Sequence, residues 1–256
     1  MPGLEHQMVP VLSDNYIHII RDTETGACAV VDPAVAPPVL KTLDRMGWSL
    51  SHILCTHHHA DHVGGSKEVK GATGCKVIGA ANDADRIPGI DIRVNDGDTF
   101  AFGAHTVRVF EVPGHTSGHI AYWFEDAKAL FCGDALFSLG CGRMFEGSAA
   151  QMWESLSKLR ALPDDTLVYC AHEYTNANAD FALSQDPDNL ALKKRADEVL
   201  RLREAGEPTV PSVLGDEKAC NPFLRADVPA FQAAAGLTGM DPVAVFAEVR
   251  SRKDRF

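Results

Sequence analysis

The chain of 256 residues contains no apolar run long enough to span a bilayer, and it does not begin with the basic start, apolar core and cleavage site of a secretion signal. It also lacks an excess of basic residues, because 24 lysines and arginines stand against 35 acidic residues, a net charge of −11. A negative chain is a poor electrostatic partner for nucleic acid. We therefore expect a protein that is not secreted and that has neither a membrane nor a nucleic-acid partner.

Cysteine pairs at disulfide or redox spacing are absent as well. The seven cysteines are odd in number and scattered without a C-x-x-C pair, and Cys132 and Cys170 lie inside apolar runs. This usage argues against a disulfide framework and favours buried free thiols, which persist in a reducing compartment. We expect a cytoplasmic protein that is a monomer.

The first two thirds of the chain alternate strand-like and helix-like segments. Short apolar runs between turn residues predict strands at 16–20, 28–31, 52–55, 76–79, 106–112, 120–124, 128–132 and 166–170. Apolar residues at helical spacing predict helices at 37–46 and 149–162, the second with Ser148 and Gln151 as a capping box. This part of the chain is therefore predicted to be a mixed α/β domain.

The pattern changes after about residue 175. No convincing strand follows, and residues 188–205 and 241–255 are predicted to be helices, the second with Asp241 as N-cap and Pro242 at the first helical position. We therefore predict a catalytic domain at 1–172 and a helical domain at 173–256.

Candidate metal ligands follow four of the predicted strands. The motif T-H-H-H-A-D-H at 56–62 supplies four of them, and each of three later strands is followed by one more. The donors are five histidines and two aspartates, namely His57, His59, Asp61, His62, His115, Asp134 and His172. Loops at strand ends are common places for ligands, and this number of donors suffices for two divalent ions if one carboxylate bridges them. Imidazole and carboxylate without thiolate suit Zn, Fe or Mn.

These donors and their order resemble the metallo-β-lactamase superfamily. Further motifs resemble one family within it, the hydroxyacylglutathione hydrolases: V-P-V-L-S-D-N-Y at 9–16, G-C-G-R-M-F-E-G at 140–147, H-E-Y-T at 172–175, N-P-F-L-R at 221–225 and R-S-R-K-D-R-F at 250–256. The resemblance implies an α/β fold, a four-layer αββα sandwich, with a C-terminal helical domain that binds glutathione.

The resemblance also implies a role for each donor. His57, His59 and His115 would bind one ion, and Asp61, His62 and His172 would bind the other. Asp134 would bridge the two, and with Asp61 it would hold and orient a hydroxide shared by the ions. The two divalent ions would be zinc, with iron or manganese as alternatives.

The implied reaction is hydrolysis of S-(2-hydroxyacyl)glutathione thioesters, chiefly S-(R)-lactoylglutathione, to D-lactate and glutathione in methylglyoxal detoxification. The substrate-binding residues carried over from the family motifs are Arg143, Phe145, Tyr174, Arg250 and Lys253. The family more often has tyrosine at position 145, so Phe145 removes a hydroxyl that could bond the glutathione peptide.

Three alternatives remain open from the sequence, and the first is a metal-binding module without catalytic activity. A persulfide dioxygenase of the same superfamily would use a single iron and a glutathione-derived substrate. Arg250 and Lys253 could also belong to a solvated basic tail, with Asp254 pairing Arg250 one helical turn away.

Overall fold

The computed structural model describes residues 3–256, which form two compact units. The first unit runs to Glu111 and includes Ser117–Gly133. The second comprises Val112–Thr116 and Asp134–Phe256. Within residues 3–256, no helix combines the length and apolar character needed to cross a bilayer.

The first unit is built mainly of strands. Its strands are β1 Leu4–Val11, β2 Asn15–Asp22, β3 Cys28–Val31, β4 His52–Leu54, β5 Lys76–Ala80, β6 Ile92–Val94, β7 Thr99–Phe102, β8 His105–Glu111, β9 Ile120–Phe124 and β10 Ala129–Gly133. Its helices are α1 Ala36–Met46, α2 Ala60–Val63 and α3 Ser66–Thr73, with a single 3-10 turn at Ala81–Asp83.

The strands of the first unit pair in two groups. β1 to β6 lie side by side in chain order, antiparallel from β1 to β3 and parallel from β3 to β6. β7 to β10 form an antiparallel meander, also in chain order. Pro10 lies on β1, at an edge of the first sheet, which is where a proline is tolerated within a strand.

Apolar burial explains why these segments are strands and helices. β3, β9 and β10 are buried at every position, as expected for strands covered on both faces. α1 has prolines in its first turn and ends at Gly47, whose φ of 66° suits a glycine. Its Val39 packs into one cluster with Ile53 and Val77 of the sheet, so the helix covers a face of the six-stranded sheet.

The second unit is mostly helical. Its helices are α4 Ala149–Arg160, α5 Thr175–Gln185, α6 Leu190–Glu204, α7 Leu214–Cys220, α8 Pro229–Ala234 and α9 Pro242–Arg255, with a 3-10 turn at Pro222–Leu224. Its strands are β11 Leu136–Phe137, β12 Gly140–Cys141, β13 Leu167–Cys170 and β14 Ser212–Val213. The predicted capping box at Ser148 and Gln151 is confirmed, and Asp241 caps α9 by accepting from Val243 N.

One expectation about the second part of the chain is wrong. A strand does follow residue 175, because Ser212–Val213 pairs antiparallel with Leu167–Val168. Two residues are too few to produce an apolar alternation that a sequence pattern can reveal.

The seven cysteines confirm the expected thiol chemistry. All of them are free and buried. Burial raises the pKa of Cys141 to about 11 and that of Cys170 to about 12, so both stay protonated near neutral pH.

Candidate metal centre

The first donor cluster consists of His57, His59, Asp61 and His62. The chain leaves β4 at Leu54, places His57 and His59 in an extended loop, and enters α2, which contains Asp61 and His62. His57 Nε2 lies 3.1 Å from His59 Nδ1, and His62 Nε2 lies 3.6 Å from Asp61 Oδ2. The local fold therefore gathers all four predicted donors of this motif.

Asp32 contacts this cluster through Thr56 and His62. It directly follows β3, is 3% exposed, and accepts hydrogen bonds from Thr56 N at 2.8 Å and Thr56 Oγ1 at 2.7 Å. Its Oδ2 is also 3.0 Å from His62 Nδ1. Because an ionised carboxylate can only accept, Nδ1 of His62 is the donor in this contact, and in the neutral ring the lone pair is on Nε2. Asp32 has a φ of 50°, an unusual conformation for a non-glycine residue.

The second donor cluster consists of His115, Asp134 and His172, all buried. Asp134 follows β10 and His172 follows β13. The Asp134 carboxylate faces both imidazoles, with Oδ2 at 3.4 Å from His115 Nε2 and Oδ1 at 3.4 Å from His172 Nε2. His115 Nδ1 donates to the carbonyl oxygen of Arg143 at 2.8 Å, which again leaves the lone pair on Nε2.

The chemistry of these donors fits divalent metal ions. Both clusters present imidazole nitrogens whose tautomer is set by a second hydrogen bond, as in most histidine metal sites. Ligand atoms of Asp32, His57 and His62 lie within 4.8 Å of one another. A carboxylate placed between two imidazoles, as Asp134 is, is the group expected to meet a cation rather than solvent.

Other histidines near the motif have structural partners. His58 Nδ1 lies 3.0 Å from Asp83 Oδ2, so His58 faces away from its neighbouring donors toward the 3-10 turn. The buried His119 stacks on His57 with ring centroids 4.6 Å apart. His105, farther along the chain, is also buried and lies 2.9 Å from Asp126 Oδ2.

A basic cluster lies in the second unit and consists of Arg143, Arg250 and Lys253. Arg250 is 4% exposed, donates to the Cys141 carbonyl at 3.0 Å and pairs with Asp254 at 3.0 Å. Arg143 Nε lies 4.0 Å from the same Asp254 oxygen. The solvated-tail alternative is therefore wrong for Arg250, although the pair with Asp254 is present.

Lys253 is the titratable member of this cluster. Burial, together with the nearby charge of Arg250, lowers its pKa from 10.5 to about 8, with Asp180 opposing and Arg143 adding to the shift. Its Nζ donates to the Ala177 carbonyl at 2.8 Å and lies above the Phe181 and Phe256 rings at 5.1 and 5.3 Å.

Two aromatic side chains adjoin the second donor cluster. The Tyr174 ring stacks on His172 at a centroid distance of 4.8 Å and an interplanar angle of 3°. Phe145 contacts the His115 ring edge-on at 5.3 Å and is 62% exposed. An exposed apolar ring beside a predicted metal ligand is accessible to a bound molecule.

The sequence patterns missed two polar residues that contact the first cluster. One is Asp32, whose only signal is an acidic residue at a strand end before Pro33. The other is Asn15, whose Nδ2 lies 3.2 Å from Asp61 Oδ2. Asn15 belongs to a motif already noted, but nothing in that motif indicated a role for its amide.

Comparison with known proteins identifies both parts of the chain. The metallo-β-lactamase superfamily model matches residues 13–172, and the model of the hydroxyacylglutathione hydrolase C-terminus matches residues 173–256. The hydroxyacylglutathione hydrolase of Rhodospirillum rubrum is 60% identical over 256 residues, covering 100% of both chains. That of Methylococcus capsulatus is 58% identical and covers 99% of both chains.

A solved structure supports the fold. The crystal structure of ETHE1 from Myxococcus xanthus superposes with a TM-score of 0.71 at 26% sequence identity, covering 96% of this chain and 90% of that chain. The predicted α/β metallo-β-lactamase fold with a helical C-terminal region is thus confirmed. The chain belongs to the hydroxyacylglutathione hydrolase (glyoxalase II) family of the metallo-β-lactamase superfamily.

Proposed function

We propose that the protein hydrolyses S-(2-hydroxyacyl)glutathione thioesters, chiefly S-(R)-lactoylglutathione, to D-lactate and glutathione. One observation carries this proposal: a complete set of seven metal donors precedes a C-terminal region that matches the hydroxyacylglutathione hydrolase model over residues 173–256. The superfamily match alone would leave the substrate open, whereas the C-terminal match is specific to this family.

The donors are proposed to hold two divalent ions. His57, His59 and His115 would bind one, Asp61, His62 and His172 would bind the other, and Asp134 would serve both. Such ions would lower the pKa of a bound water and would stabilise negative charge on the thioester oxygen. Zinc is the proposed metal, with iron or manganese as alternatives, because a donor set of imidazole and carboxylate without thiolate suits all three.

The chain's own residues position the reactants. Asp61, whose side chain is 42% exposed, is the carboxylate that can accept a hydrogen bond from the attacking water. Arg143, Arg250 and Lys253 provide the positive charge that a substrate with two carboxylates requires on a chain of net charge −11. Tyr174 and Phe145 supply ring surface between the second donor cluster and solvent.

The single-iron persulfide dioxygenase alternative is not favoured. Eight full-length relatives at 51–60% identity are all hydroxyacylglutathione hydrolases. A cytoplasmic monomer is proposed, with the seven buried free thiols supporting a reducing compartment.

The direct test is release of free thiol from S-(R)-lactoylglutathione by the purified protein loaded with zinc. We expect multiple turnovers that a chelator abolishes and added zinc restores. If the zinc-loaded protein releases no thiol, the thioester proposal is wrong while the metal centre stands, and oxygen consumption with glutathione persulfide then becomes the measurement to make.

The lowered pKa of Lys253 predicts a pH dependence of substrate binding. The ammonium is present below about pH 8 and is lost as the pH rises through that value. The attraction for a substrate carboxylate is lost with it, so KM should rise by about tenfold between pH 7 and pH 9.5. Lys253→Arg stays charged over this range and should keep KM flat; an equal rise in both proteins would exclude Lys253 as the titrating group.

A further inference from the structure

The side-chain amide of Asn15 donates two hydrogen bonds to Asp61. The Nδ2 atom lies 3.1 Å from the main-chain oxygen of Asp61 and 3.2 Å from its Oδ2. An amide nitrogen has two hydrogens, so one can serve each acceptor. Both the backbone and the carboxylate of the same residue are therefore held by one group.

The two partners differ in how firmly the fold holds them. Asn15 is 6% exposed and begins β2, where it lies opposite Val11 of β1, and β2 continues between β1 and β3 from His18. Asp61 lies in a helix of only four residues, and its side chain is 42% exposed. An exposed carboxylate on a short helix can adopt several rotamers, and holding it in one of them costs conformational entropy. A buried amide at the start of a paired strand has little of this freedom left.

We propose that Asn15 is a positioning residue that fixes the Asp61 carboxylate for metal binding and for contact with the attacking water. The inference rests on the proposed metal centre. A carboxylate offers about four lone-pair positions, so accepting one hydrogen bond on Oδ2 leaves the capacity to bind an ion. Outer partners of this kind set the orientation of metal ligands.

The chemistry of the amide explains why position 15 requires a donor. Aspartate has almost the same size but no N–H, and it would place a second carboxylate at the position now 3.2 Å from Asp61 Oδ2. Serine is too short to reach both acceptors. Asn15→Asp therefore replaces an attraction with a repulsion, and Asn15→Ser removes the contact without adding charge.

The chain offers a matched control for the Asn-to-Asp change. Asn95 is exposed, and its Nδ2 also lies 3.2 Å from an aspartate oxygen, Oδ2 of Asp98. Asn95→Asp thus makes the same substitution, in the same kind of contact, at a turn that contains no metal donor.

The experiment measures zinc affinity and stoichiometry in the metal-free protein by competition with a chromophoric chelator. Asn15→Asp and Asn15→Ser should lower the affinity for one of the two zinc ions by about 10- to 100-fold and leave the affinity for the other unchanged. Asn95→Asp should bind both ions as the wild-type protein does. Wild-type affinity for both ions in Asn15→Ser overturns the proposal, as does equal weakening of both. If Asn15→Asp does not fold, Asn15→Ser decides.

A double-mutant cycle separates positioning from a general structural role. If Asn15 acts through Asp61, then Asn15→Ser has no further effect on zinc affinity in an Asp61→Ala background; additive losses would overturn the proposal. In the otherwise wild-type enzyme, kcat should fall while KM stays within about twofold. Zinc affinity is measured without any thioester, so the positioning role can stand even if the proposed substrate is wrong.

Discussion

Asp134→Ala is expected to lower kcat for S-(R)-lactoylglutathione by about a thousandfold, which corresponds to about 4 kcal/mol of lost transition-state stabilisation. The carboxylate is 7% exposed and faces His115 and His172 at 3.4 Å each. Alanine leaves both imidazoles in place but removes the carboxylate that is proposed to bind both metal ions. The measurement is steady-state thiol release together with zinc content after dialysis, which should fall from two ions per chain.

The control for Asp134→Ala is another aspartate beside a histidine. Asp126 Oδ2 lies 2.9 Å from His105 Nδ1 and its side chain is 55% exposed. Asp126→Ala therefore removes a carboxylate from an imidazole outside the donor clusters and should keep both zinc ions and near-normal kcat. Near-normal turnover in Asp134→Ala would refute the bridging role, and equal losses in both variants would point to a general effect on folding.

The sequence predicted best where burial and local chemistry agree. β9, Ile120–Phe124, has the predicted bounds because an apolar run buried at every position leaves a clear signal. β1, Leu4–Val11, was missed because it is mostly half-exposed and contains Pro10. α5, Thr175–Gln185, was missed because no side chain caps it and its buried positions include Thr175 and Asn178.

The residues of the candidate site also fall into two groups, those that a sequence pattern can single out and those that only the structure reveals. Four of the predicted donors lie in one dense motif and the other three each follow a predicted strand, so a sequence pattern is able to single them out. Asp32 and Asn15 could not, since each is a single polar residue at a strand end, where turn residues are common. The contact from Asn15 to Asp61 joins positions 46 apart, and only the fold reveals such a pair.

The structure also changes how the basic cluster should be tested. Arg250 is 4% exposed, donates to the Cys141 carbonyl and lies 5.0 Å from the Phe223 ring, so it belongs to the core as well as to the proposed substrate pocket. Arg250→Ala should therefore lower the melting temperature by several degrees in addition to weakening binding. Lys253 is half-buried, and its replacement should perturb folding less.

Lys253→Ala is thus expected to give the cleaner result: KM for S-(R)-lactoylglutathione should rise by about 10- to 100-fold, the value of a lost charge-assisted hydrogen bond, with kcat within about twofold. The reason is that a carboxylate of glutathione is remote from the thioester and is bound equally before and during reaction. Arg255→Ala is the matched control, because Arg255 is exposed on the same helix and its guanidinium donates to Ser251 Oγ. A change in KM shared by both variants would assign the effect to overall charge, and an unchanged KM in Lys253→Ala would remove Lys253 from the pocket. A fall in kcat alone would instead place Lys253 close to the reacting thioester.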